Sequence, residues 1–152
     1  MSHPGIPILV LDTNTVMALW VFEDPALQPL RQAVESCTAV LASRADALEE
    51  LRRVLAYRQF GLTLQRQASI HAEYAARCNV ADRAGSDTAT RLPTCRDGDD
   101  QKFLEIARDA QATHLVTRDK ALLRLNRHRL IRPLYAIVPP EGLFAASAAS
   151  PG

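Results

Sequence analysis

Residues 6–15 read Ile-Pro-Ile-Leu-Val-Leu-Asp-Thr-Asn-Thr, a short apolar run that ends abruptly in polar side chains. A continuous apolar run of this length is typical of a strand that is buried on both faces of a parallel sheet. The run delivers Asp12 to the carboxyl end of the strand, where open α/β sheets build their binding sites. Asp12 is therefore the first candidate ligand or catalyst. A competing interpretation is a helix N-cap, because Asp often caps the helix that follows such a turn.

Short apolar strands alternate with helical segments along the rest of the chain. We predict further strands at 38–42, 113–117 and 134–138, with a shorter one near 93–96 inside a long surface loop over 80–99. We predict helices over 16–36 with a break at 23–25, from an N-cap at Ser43 to about residue 57, over 63–78, from 99 or 100 to about 111, and over 120–125. This alternation predicts a Rossmann-like, three-layer α/β/α fold with a mainly parallel central sheet of four to five strands.

Length and composition indicate one globular domain. With 152 residues, we expect a single domain over 1–146 and a frayed tail over 147–152. The formal net charge is +1, so any binding of a polyanion must be local. Three cysteines without metal-binding spacing favour reduced thiols in a cytoplasmic protein. We expect no membrane association, because Asp12 interrupts the first apolar run before it reaches signal-peptide or membrane-spanning length.

Glu50 is the second candidate carboxylate. In the helix predicted to begin at Ser43, Glu50 flanks the apolar stripe, whereas Glu49 points to water. A Glu beside an apolar stripe is often only a surface residue that snorkels to solvent. Glu50 is a site candidate only if other carboxylates converge on it.

Asp100 is the third candidate, because it shares the buried stripe of its helix with Phe103, Leu104 and Ala107. A carboxylate on the core side needs a partner, since an unpaired buried charge is costly. We expect Asp99 to be the N-cap, which leaves Asp100 free to act as a ligand. The alternative is that both residues only complement the helix dipole.

Asp119 is the fourth candidate and repeats the setting of Asp12, an apolar strand followed by an Asp that could also cap the next helix. Carboxylates at the ends of neighbouring parallel strands lie within reach of one another. Several carboxylates in one cleft repel unless cations or shifted pKa values compensate. Oxygen ligands without paired His or Cys select Mg²⁺ or Mn²⁺, ions that support phosphodiester hydrolysis. The sequence has neither a GxSxG nucleophile motif nor a Gly-rich phosphate loop.

Four segments that carry these acids resemble PIN-domain ribonucleases of the group regarded as toxins of toxin–antitoxin pairs. The segments are residues 10–14, 47–55, 96–104 and 115–120. The resemblance implies an acidic quartet of catalytic residues and metal ligands, Asp12, Glu50, Asp100 and Asp119, with Asn14, Asp97 and Thr117 as supporting polar groups. It also implies an endonuclease that cleaves RNA with one or two Mg²⁺ or Mn²⁺ ions, a cognate antitoxin as partner, and a homodimer. Many relatives carry a further Asp at the position of Ala121.

A run of basic residues follows the fourth acid. We predict that Lys120, Arg124 and Arg127, together with Arg52, contact nucleic-acid phosphates. A solvated, charged helix end is the more ordinary explanation of such a run.

Two other functions compete with the nuclease. Residues 9–16 resemble the opening motif of haloacid-dehalogenase-type phosphatases, but Asn14 stands where that family has its acid and cannot exchange a proton as a carboxyl does. A catalytically weak PIN-like module that captures a partner protein is the second alternative, and Ala121 and the near-neutral charge lend it support.

Overall fold

The computed structural model describes residues 5–81, 90–141 and 143–144. Its central sheet has five strands, β1 (Ile8–Leu11), β2 (Val40–Arg44), β3 (Cys78–Ala81), β4 (His114–Val116) and β5 (Ala136–Val138). All neighbouring strands are parallel and their order is β3-β2-β1-β4-β5. The predicted three-layer fold with a parallel sheet is confirmed. The predicted tail over 147–152 lies outside the described residues.

Helices cover both faces of this sheet. They are α1 (Thr13–Trp20), α2 (Gln28–Glu35), α3 (Ala45–Leu55), α4 (Leu64–Arg77), α5 (Gln101–Asp109) and α6 (Lys120–Arg124). Short 3₁₀ turns lie at Pro25–Leu27, Arg58–Phe60, Gly98–Asp100 and Leu125–Arg127. Among the described helices, none is long and apolar enough to cross a membrane.

Strand β1 is buried on both faces, as its sequence predicts. Leu9 and Leu11 belong to a core that is shared with α1 to α4, whereas Val10 belongs to a second core that includes α5 and α6. Successive side chains of a strand point to opposite faces, so both faces of β1 must be apolar. Because β1 is also the middle strand of the sheet, its carboxyl end lies at the centre of one sheet edge.

The start of α3 differs from the prediction. Strand β2 continues to Arg44, Ser43 is a buried strand residue, and Arg44 takes the N-cap position. The reason is tertiary, because Ser43 pairs with Val80 and Arg44 with Ala81 of strand β3. Pairing with β3 extends β2 beyond the point that its own sequence indicates.

The region between α4 and α5 also departs from expectation. The sequence did not predict β3 as a strand, because this edge strand is mostly exposed and lacks an apolar run. The strand predicted near 93–96 is wrong. There the side chain of Gln101 accepts a hydrogen bond from the Cys95 backbone N–H (2.7 Å) and donates one to the Pro93 carbonyl (3.0 Å). Residues 82–89 of the predicted loop are not among the described residues.

Arg44 is a buried cation at the end of β2. Its guanidinium makes a bidentate contact to Asp46 (2.9 and 2.8 Å) and a third contact to Glu105 of α5 (3.0 Å). The Arg44 side chain is only 8% exposed, whereas those of Asp46 and Glu105 are 48% and 34% exposed. Nη1 of Arg44 is buried and has no hydrogen-bond partner among the described residues. This network ties β2 and α3 to α5.

Candidate active site

Asp12 lies at the carboxyl end of β1 with both carboxylate oxygens held by hydroxyl groups. Oδ1 accepts from the Thr15 backbone N–H (2.9 Å) and from the Thr15 hydroxyl (2.6 Å). Oδ2 accepts from the Thr117 hydroxyl at 2.5 Å. Burial raises the pKa of Asp12, and the hydrogen bonds from Thr117 and Thr15 partly oppose that rise. Asp12 therefore caps α1, as the competing interpretation proposed, and is also fixed in position at the sheet edge.

Thr117 connects the ends of β1 and β4. Its hydroxyl donates to Asp12 and accepts a hydrogen bond from the Asp119 backbone N–H at 2.9 Å. Leu11 pairs with Val116 in the sheet, so the residues that follow the two strands meet at one edge. The carboxylate of Asp119 is exposed and caps α6 through the Leu122 N–H at 2.9 Å.

Glu50 reaches the same edge from α3. Its Oε2 accepts a hydrogen bond from the hydroxyl of Thr13 at 2.5 Å, and Thr13 follows Asp12 directly. Its Oε1 lies 2.5 Å from Nζ of Lys102 on α5. Glu49 is exposed and pairs with Arg52 instead. As the helical periodicity predicts, Glu50 lies beside the apolar face of α3 and Glu49 points to solvent.

Asp100 precedes α5 and faces the other carboxylates. Burial and then repulsion from Asp119, Asp97, Asp12 and Glu50 raise the pKa of Asp100 to about 6. The structure thus brings these five acids together, and we call them the acidic cleft. Asp97, not Asp99, caps the turn before α5, since its side chain accepts from the Asp99 N–H at 3.0 Å.

A cavity of about 360 Å³ opens beside the acidic cleft. Asp97 and Asp100 line one part of it, and the basic side chains of Arg96 and Arg124 line another. Ala121 also lies on its wall. A cavity with acids and arginines together suits a phosphate-containing ligand.

The donor chemistry of the acidic cleft fits a hard divalent cation. All its side chains offer carboxylate oxygens, which Mg²⁺ and Mn²⁺ prefer. Within the described part of the chain, however, no three His, Cys, Asp or Glu side chains converge closely enough to hold an ion as they stand. The oxygens of two members are also engaged by the protein: hydroxyl groups contact those of Asp12, and Thr13 and Lys102 contact those of Glu50. An ion must therefore compete with these protein contacts.

Several contacts of the acidic cleft were not predicted. Thr15 lies at the N3 position of α1, where a backbone N–H commonly donates to the side chain of the N-cap residue. The spacing of Asp12 and Thr15 in the sequence could therefore have predicted this hydrogen bond. Asn14, predicted as a supporting group, is exposed, and the threonines on either side of it make the contacts. Nothing local signals Lys102, because its partner Glu50 is 52 residues away.

The predicted phosphate-contacting residues fall in two places. Lys120, Arg124 and Arg127 are exposed on and after α6, and of these Arg124 lines the cavity beside the acidic cleft. Arg127 lines a further hollow of about 520 Å³. Arg52 lies on α3 and is held at 2.5 Å by Glu49.

Comparison with known proteins gives one match. A family model described as PIN domain matches residues 8–121. This range runs from the start of β1 into α6 and includes every acid of the acidic cleft. Neither a curated protein nor a solved structure matches significantly.

Proposed function

Because the chain belongs to the PIN domain family, whose members are generally nucleases, we propose that it is a metal-dependent endoribonuclease that hydrolyses phosphodiester bonds of RNA. The observation that carries this proposal is the acidic cleft. Its five carboxylates come from the ends of β1 and β4, from α3 and from the turn before α5. Burial, and then repulsion from the other four, raise the pKa of Asp100. Asp12, Asp97 and Asp119 also cap helices or turns, but capping does not require five carboxylates in one place, where their repulsion costs stability in the absence of a cation.

We assign Asp12, Asp100 and Asp119 as metal ligands and Glu50 as the fourth catalytic residue. The resemblance makes Glu50 a metal ligand as well, but Thr13 and Lys102 already contact its two oxygens. A bound Mg²⁺ or Mn²⁺ ion would polarise the phosphate and lower the pKa of a water nucleophile. Thr117 and Thr15 fix the orientation of the Asp12 carboxylate, and Thr13 does the same for Glu50. Because these hydrogen bonds already restrict the carboxylate rotamers, less conformational entropy is lost when the catalytic arrangement forms.

The proposed role as the toxin of a toxin–antitoxin pair is supported by the resemblance of the four acidic segments to that group of ribonucleases. On this proposal the protein acts in the cytoplasm as a homodimer, and a cognate antitoxin protein blocks its acidic cleft. Light scattering of the purified chain tests the homodimer, which would give twice the mass of one chain. Co-expression with the product of an adjacent gene tests the antitoxin.

The nuclease proposal is tested by cleavage of end-labelled single-stranded RNA with Mg²⁺, with Mn²⁺ and with EDTA. We expect cleavage with either ion and none with EDTA. Absence of cleavage with both ions would favour the binding module that captures a partner protein. Turnover of a generic phosphomonoester without RNA cleavage would favour the phosphatase.

Removal of the basic side chains beside the acidic cleft should weaken RNA binding in a salt-dependent way. For Lys120→Ala and Arg124→Ala we expect the slope of log K against log salt to fall by about 0.7 each, because each residue that contacts a phosphate releases counterions from the single strand. Fluorescence anisotropy with a labelled RNA in EDTA measures binding without cleavage. Arg66→Ala on α4 is the matched control, since Arg66 only approaches Glu23 at 4.0 Å. Slopes equal to that of the wild type would place the RNA elsewhere.

A further inference from the structure

Lys102 lies in the first turn of α5, and its ammonium group contacts Glu50 of the acidic cleft. Its Nζ is 2.5 Å from Oε1 of Glu50 and 2.6 Å from the Asp99 carbonyl oxygen. The Lys102 side chain is 15% exposed and that of Glu50 is 21% exposed. Nζ also lies 5.1 Å from the centre of the Phe103 ring. The ammonium is therefore held by three neighbours in a partly desolvated position, where an ion pair is screened less than at the surface.

The charge of Lys102 reaches only one side of the acidic cleft. Among the ion pairs of the described residues, Glu50–Lys102 is the one that includes a member of the acidic cleft. Asp12, Asp97, Asp100 and Asp119 have hydroxyl or backbone donors or repel one another, but no ammonium or guanidinium pairs with them in the described structure. Among the described residues, a cation therefore pairs directly with Glu50 and none pairs directly with the four aspartates.

An ammonium group at 2.5 Å from a carboxylate oxygen occupies the space that a cation ligated by that oxygen would need. It also satisfies the oxygen electrostatically, so a second cation there would be repelled by Nζ. A divalent ion bound by Asp12, Asp100 and Asp119 would not need to displace Lys102, whereas an ion ligated by Oε1 of Glu50 would.

We propose that the Lys102 ammonium takes the place of a second divalent ion at Glu50, so that the protein binds one ion and loss of Lys102 opens a second position. This inference rests on the proposed metal-dependent function and specifies how many ions the acidic cleft takes. Lys102 is a positioning residue, because it acts through Glu50. An ordinary stabilising ion pair would change the free energy of unfolding but not the number of ions bound.

Equilibrium dialysis with Mn²⁺ alone tests this inference on the whole chain after removal of metal with EDTA. We expect the wild type to bind one Mn²⁺ per chain, and Lys102→Met to bind about twice as much at saturation. Lys102→Arg keeps the positive charge and should again bind one. Lys102→Gln provides a second uncharged side chain if Lys102→Met fails to fold, and circular dichroism checks the fold of each variant.

The outcomes separate this inference from the function on which it rests. Two ions in the wild type, or one ion in both uncharged variants together with retained metal-dependent RNA cleavage, would overturn the role of Lys102 and leave the nuclease intact. A wild type that binds no Mn²⁺ and cleaves no RNA would overturn both. Two ions in Lys102→Met and one in Lys102→Arg would support the replacement of a metal ion by the ammonium.

Discussion

Asp12→Asn is expected to lower the rate of RNA cleavage by about 10³-fold. Metal-ion stabilisation of developing charge contributes several kcal/mol, and about 4 kcal/mol corresponds to that factor. The substitution removes the negative charge at the carboxyl end of β1 and leaves one oxygen. Single-turnover cleavage of labelled RNA in saturating Mn²⁺ measures the loss.

The fold should survive this substitution. Asn caps helices about as well as Asp, and its side-chain oxygen can still accept from the Thr15 N–H and hydroxyl. Its amide group would face the Thr117 hydroxyl, whose oxygen can accept as well as donate. We therefore expect a melting temperature within a few degrees of the wild-type value, measured by circular dichroism.

Asp109→Asn is the matched control for Asp12→Asn. Asp109 ends α5 and pairs with Arg108 at 2.8 Å, outside the acidic cleft. This variant should cleave RNA at the wild-type rate. Cleavage by Asp12→Asn within tenfold of that rate would show that the Asp12 carboxylate takes no part in the reaction.

The second large effect is expected at Arg44 and concerns stability. The double variant Asp46→Asn with Glu105→Gln should lower the free energy of unfolding by about 3 kcal/mol, because it leaves a buried guanidinium without a counter-charge. We take the lower end of the usual range because both carboxylates reach solvent. The Asp46 carboxylate also accepts a hydrogen bond from the Ala47 backbone N–H at 2.9 Å. Asp46→Asn keeps this bond, because the amide side chain retains one oxygen that can accept it.

Arg44→Met, in contrast, should change the free energy of unfolding by no more than about 1 kcal/mol. Replacing a buried cation with an apolar side chain of similar length is often neutral, because the cost of burying the charge disappears with its ion pairs. It also removes the Nη1 atom, which finds no partner in the described part of the chain, and the two partly exposed carboxylates can be hydrated. Urea unfolding of the three proteins measures both effects. If the free energy of unfolding falls as much in Arg44→Met as in the double variant, the hydrogen bonds of the network stabilise the protein. The effect of the double variant would then not come from a buried guanidinium without a counter-charge.

The same network gives the stability a dependence on pH. Hydrogen bonds from Arg44 lower the pKa of Asp46 below its usual value of 3.8. Because the pKa of Asp46 is lower in the folded state than in the unfolded state, the ionised carboxylate stabilises the fold at pH values above the unfolded-state pKa. This stabilisation is lost as the pH falls from the unfolded-state pKa through the folded-state pKa. Arg44→Met lacks that contribution, so its stability should fall less steeply below about pH 4 than that of the wild type.

Local patterns predicted the elements that have strong apolar periodicity. The run before Asp12 became a strand with two buried faces, and the stripe of Phe103, Leu104 and Ala107 became the buried face of α5. Strand β3 was missed because an edge strand needs little apolar sequence, and the strand expected near 93–96 failed because Gln101 takes its backbone groups.

The sequence by itself determined strands β1, β2, β4 and β5, the helices that alternate with them, and the positions of Asp12 and Asp119 after two strands, because these depend on neighbouring residues. Only the tertiary structure decided which groups face those acids. Thr117 reaches Asp12 across 105 residues and Lys102 reaches Glu50 across 52. Such contacts arise from strand register and from the packing of helices on the sheet. Hydrophobic periodicity cannot predict such contacts, because it depends only on residues that are close in the sequence. Those residues would be the same whichever distant side chain Thr117 or Lys102 contacted.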